Sequence, residues 1–158
     1  MNYNGPHPVV THPPCRLWGN LSHFSKAPME EKDLAVRAVE LVRKFGGVLE
    51  HPAYSKLWKH LGLEGPAHEL DEFGGQTIAL NQFAFGHKAA KPTWLYIVRC
   101  AALPTLPVEM GLPTHCICRS TRALRRLPHV SMADRERTPP AFAAWLVEVA
   151  RRTLSTEH

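Results

Sequence analysis

No apolar run in this chain of 158 residues approaches the ~20 residues that a membrane-crossing helix needs. The amino terminus also lacks the basic and then apolar layout of a signal peptide. The four cysteines, at 15, 100, 116 and 118, form no C-x-x-C pair and are far too sparse for a disulfide framework. These absences point to a soluble protein of a reducing cytoplasm, and His115-Cys116-Ile117-Cys118 is too weak a pattern against normal ligand spacing to imply a metal, its alternation fitting a strand that buries two small thiols. No metal site is therefore expected. Repeats and low-complexity tracts are missing too. Acidic residues are the scarcer charge, with fourteen Asp and Glu against nineteen Lys and Arg and ten histidines, for a net charge of +5. A polyanion is a plausible partner for such a chain, and basic residues recur around 86–99 and 119–137; an ordinary solvated face explains them equally well.

The length suits one domain over 1–158, with an irregular insertion at about 100–135. Pro8 to Thr11 reads as a buried strand, which the Pro13-Pro14 corner must end because proline cannot continue a ladder. Met29 to Phe45 has the spacing of an amphipathic helix, acidic in its first turn and basic in its last, and Gly46-Gly47 stops it. Val48 to Glu50 is a second short strand, so residues 8–50 form a βαβ unit that brings Cys15 and Glu50 to one edge of a parallel sheet. Tyr54 to Leu61 reads as a short helix, followed by a mobile loop. Thr77–Phe83 and Trp94–Val98 are strands of a hairpin-like pair with a basic connection. Pro139 to Leu154 is a second strong helix with Phe142, Trp145, Leu146 and Val149 as its core face.

The chemistry rests on Cys15, in a loop at a strand's carboxyl end, where open α/β sheets place ligands. Carbon 5 of a pyrimidine is unreactive until a thiolate adds at carbon 6, and an acid that protonates nitrogen 3 assists that addition. Cys15 and Glu50 are the residue types this requires.

At these residues the chain resembles the DNA cytosine-5 methyltransferases, through four segments in the family's order. Pro13-Pro14-Cys15 is similar to the nucleophile loop. Gly46 to Pro52, ending Glu50-His51-Pro52, looks like the strand that carries the catalytic glutamate, with His51 in place of the usual asparagine. Phe85-Gly86 through Val98 resembles the basic motif and its apolar strand, with Ala89 at the glutamine position, Lys91 for the first arginine and Thr93 at the second. Thr138-Pro139-Pro140 and the following helix are similar to the carboxyl-terminal motif. The resemblance covers roughly residues 8–98 and 135–152, nearest to small divergent phage and prophage proteins.

It implies a reduced, three-layer Rossmann-like α/β core with a short, mostly parallel sheet. Cys15 is then the nucleophile and Glu50 the acid. His12, Arg16, Trp18, His51, Lys88, Lys91 and Thr93 are the expected contacts to substrate or DNA, with Trp18 placed to stack on an extruded base. S-adenosylmethionine is the implied methyl donor, although its glycine-rich loop has no counterpart in the fourteen residues before Cys15. DNA is the implied partner, in a bacterial or phage-infected cell, and a second subunit or a homo-oligomer is one way to complete the site. Two further readings stand beside it: an inactive descendant that binds DNA or protein, and a modifier of free nucleotides.

Overall fold

The structure is a computed structural model that describes residues 3–19, 22–24, 26–63, 65–66, 69–117 and 126–153. Its frame is a four-stranded sheet of β1 (Val9–Thr11), β2 (Gly47–Pro52), β4 (Pro92–Val98) and β3 (Gly75–Asn81), in that spatial order. Only β1 and β2 are parallel; β4 runs antiparallel to both β2 and β3. The sheet is therefore mixed, which corrects the expectation of a mostly parallel one. The coarser expectation, a small α/β domain, holds.

Helix α1 (Glu30–Phe45) joins the parallel pair. Glu30, Glu31 and Asp33 occupy its first turn and Arg43 and Lys44 its last, the arrangement that opposes the helix dipole at both ends. Gly46 closes it, its amide donating to the Val42 carbonyl at 2.8 Å. Gly47 follows at φ +111°, and a Cβ there would lie 2.0 Å from the Val9 carbonyl oxygen. Only glycine lets β1 come this close. β1 lies at the sheet edge and leaves Val10 42% exposed, so it is less buried than the expected strand.

The sheet has a helical layer on each face. Leu49, Tyr96 and Val98 pack with α1 and with α2 (Lys56–His60). Val48, Leu95 and Ile97 pack on the other face with Phe142, Trp145, Leu146 and Val149 of α4 (Pro140–Arg151). Successive residues of a strand point to opposite faces, so Glu50 lies on the α4 side and His51 on the α1 side, beside Trp58.

After β3 the chain turns into a single 3-10 turn, Gln82–Phe85. The strand expected to reach Phe83 stops at Asn81 because the Asn81 side chain accepts from the Phe83 amide at 3.2 Å and begins the turn instead. Beyond β4, residues 101–114 contain no helix or strand. A five-residue helix, α3 (Met132–Glu136), precedes α4. Among the described residues no helix is long and apolar enough to cross a membrane.

Candidate active site

The carboxyl ends of β1, β2 and β3 and the start of β4 share one edge of the sheet. The loop after β1 delivers His12 and Cys15, the end of β2 delivers Glu50, the turn after β3 delivers Gln82, and β4 begins with Thr93 close behind Lys91. Sequence distances of up to about 80 residues collapse into this edge because strand ends, not sequence neighbours, define it.

Glu50 is the centre. It is 1% exposed, and such a carboxylate must be compensated by partners. Gln82, fully buried, donates from Nε2 to Glu50 Oε1 at 2.8 Å and to Thr93 Oγ1 at 3.0 Å. The Thr93 hydroxyl donates in turn to the Lys91 carbonyl at 3.1 Å. On the other oxygen, His12 Nε2 lies 2.6 Å from Glu50 Oε2. This contact is short but not well aligned as a hydrogen bond, so the oxygen has a close imidazole neighbour and no linear donor. The other His12 nitrogen, Nδ1, is 3.3 Å from Thr138 Oγ1, in the segment leading into α4.

Cys15 is exposed and carries a free thiol. Although the residue faces solvent, protein packs on one side of the sulfur, and this burial is the main cause that holds the thiol above its ordinary pKa. The Glu50 charge adds to the rise, while the Cys15 amide, Lys91 and Arg135 oppose it. Lys91 is held below its ordinary value by burial, with Glu50 and Cys15 pulling it back up. Sulfur, carboxylate and ammonium thus lie within electrostatic reach of one another, as expected of Cys15 and Glu50 from neighbouring strand ends. The ammonium also donates to the Arg137 carbonyl at 3.2 Å.

The remaining expected contacts divide between surface and core. Arg16 is exposed and pairs with Glu31 at 2.7 Å, and Lys88 pairs with Asp134 at 3.3 Å. Trp18, expected to stack on a base, is instead core: it is 3% exposed and lies between the Lys32 ammonium and the His60 ring. Thr93 and His51 are fully buried, so they brace the edge from inside rather than present themselves to a ligand. His51 has no well-formed hydrogen bond at either ring nitrogen. Burial pushes its pKa down to about 4, with His12 adding to the fall and Glu50 and the Pro14 backbone opposing it.

Gln82 and Arg135 are absent from the sequence-level site. Gln82 had one signal, its place just past the end of a strand on the ligand-binding edge; Arg135 had only its membership of a basic stretch. Residues 118–125, which include Cys118 and part of that stretch, lie outside the described residues. No group of three metal-ligating side chains occurs among the described residues.

The residues present do not form a recognisable seat for S-adenosylmethionine. The turn after β1 is His12-Pro13-Pro14, which offers no glycine-rich cradle and whose prolines have no amide to donate. The cleft beside this edge, between Phe85, Lys88, Arg137 and Pro140, holds about 160 Å³, below the roughly 300–1,000 Å³ typical of ligand pockets. No step below is routed through the cofactor. No family model, curated protein or solved structure matches the chain.

Proposed function

We propose that this protein is a DNA modification protein related to the cytosine-5 methyltransferases, acting by thiolate addition to a pyrimidine extruded from the helix. The observation that carries the reading is the convergence of Cys15, Glu50 and Lys91 on the carboxyl edge of the sheet. In the step it supports, Cys15 first loses its thiol proton to solvent, the thiolate sulfur bonds to carbon 6 of the base, the 5,6 double bond shifts to 4,5, and Glu50 supplies a proton to nitrogen 3. The product is a neutral covalent enamine. Lys88 and Lys91, with Arg135 beside the thiol, supply positive charge for the phosphates.

The two groups assist each other. A Glu50 anion opposes ionisation of Cys15, so protonating the carboxylate favours the thiolate as well as loading the acid. The residues described form no seat for S-adenosylmethionine, so the proposed chemistry ends at the covalent adduct, with no methyl donor assigned.

The inactive, binding-only reading is favoured by two observations: His12 lies over the buried Glu50 carboxylate, and burial holds the Cys15 thiol above its ordinary pKa. Trapping separates the two. DNA containing 5-azacytosine, whose ring nitrogen in place of carbon 5 takes up a proton after the thiolate adds and so needs no methyl donor, is expected to give a covalent species at the combined mass of protein and DNA, mapped to the Cys15 peptide. DNA binding without that species supports the binding-only protein and removes the catalytic one.

A further inference from the structure

Gln82 fixes which oxygen of Glu50 can carry a proton. Both hydrogens of its amide nitrogen are committed, one to Glu50 Oε1 and one to Thr93 Oγ1, so Oε1 faces a donor and a proton there would collide with it. A protonated Glu50 therefore bears its hydrogen on Oε2, the oxygen at which His12 stands. His12 is the more accessible member of the pair, with 42% of its side chain exposed against 1% for Glu50. Its ring plane is set from the far side by Thr138.

We propose that His12 is the displaceable cover of Glu50 and the group that hands it its proton. The step begins when the His12 ring has taken a proton from solvent beside the Glu50 carboxylate. With the ring turned so that its Nε2–H lines up with Oε2, the N–H bond breaks, an O–H bond forms at Oε2, and the ring is left neutral with its remaining hydrogen on Nδ1, directed to Thr138. No charge then holds the ring to the carboxyl group, so it swings toward solvent and leaves Oε2 facing the site. The titratable and charged groups around this exchange are Cys15 on the same loop, His51 and Glu50 on β2, Lys91 before β4, and Arg135 on α3. This deepens the reading above and rests on it only for the use made of the proton.

The cover is tested without DNA, by labelling carboxyl groups with a carbodiimide and glycine ethyl ester and mapping the peptides. Glu50 is expected to be protected in the wild type and labelled at least tenfold faster in His12→Gly. His12→Gln, which fills the same space, is expected to restore most of the protection. Equal labelling of wild type and His12→Gly overturns the cover. Proton transfer is tested by the rate of adduct formation with 5-azacytosine DNA, expected to fall at least tenfold in both variants and to recover in His12→Gly when free imidazole is added. A wild-type rate in His12→Gln overturns it. If wild-type protein forms no adduct, the proposed function fails, and the labelling result still decides whether His12 covers Glu50.

Discussion

The Gln82 side-chain amide meets Glu50 Oε1 at 2.8 Å from thirty-two residues away, and both side chains are almost completely removed from solvent. A buried charge held by a buried amide is a liability unless the whole arrangement is kept, because removing one partner strands the other. Gln82→Leu is therefore expected to destabilise the protein by about 2–3 kcal/mol, more than Thr93→Val, which leaves the Gln82–Glu50 bond in place. Urea unfolding of the two variants checks the order. A smaller loss for Gln82→Leu than for Thr93→Val contradicts it.

His51 gives a pH signature. Its folded pKa of about 4 lies below the ordinary 6.5, so between those values the unfolded chain binds a proton that the folded chain refuses. The stabilisation is present above about pH 6.5 and is lost as the pH falls toward 4. A shift of this size corresponds to about 3 kcal/mol. His51→Phe, which keeps the ring beside Trp58, is expected to flatten the decline in stability between pH 6.5 and 4, as read by thermal melting across that range. An unchanged slope removes His51 as its source.

Gly47 is the tightest point of the fold. With φ at +111° and the Val9 carbonyl where a Cβ would go, Gly47→Ala is expected to cost about 2 kcal/mol or more. Gly62→Ala is the control, since its Cβ would meet nothing within 4 Å and only its positive φ opposes the change. Chemical denaturation of the two variants compares them directly.

How much of this was readable beforehand follows from which signals are local. The strand–helix–strand unit over 8–50 is legible because proline corners, the acidic and basic ends of α1 and the Gly46-Gly47 stop all lie inside their own segments. From it follows the meeting of Cys15 with Glu50. The direction of β4 relative to β2 is a pairing across about 45 residues, and nothing local to Trp94–Val98 encodes it; hence the mixed sheet. The same limit hid Gln82, whose role exists only once β3 and β4 bring it beneath Glu50. Trp18 shows the opposite error, since an aromatic next to a reactive loop suits stacking and core packing equally well, and only the closing of α1 and α2 around it decides. The loop after α2, expected to be mobile, is tied at its end: Asp71 Oδ1 accepts from the Phe73 and Gly75 amides, and Tyr96 donates to its other oxygen at 2.5 Å.

Lys91 opposes the Glu50 charge at the thiol. Lys91→Met removes one of the two cationic side chains that favour ionisation of Cys15, so iodoacetamide alkylation of the Cys15 peptide is expected to slow at a fixed pH near 8. Lys26→Met, a change at an exposed residue that is not among the groups acting on Cys15, is expected to leave the rate unchanged.

The account depends on Cys15 and Glu50 acting as one coupled pair, and the pH profile of Cys15 alkylation in Glu50→Gln against wild type measures that coupling most directly. Because the carboxylate charge holds the thiol up, the account predicts a profile moved to lower pH in Glu50→Gln, with alkylation near pH 7.5 faster by about threefold or more. Superimposable profiles, or one moved to higher pH, would contradict it.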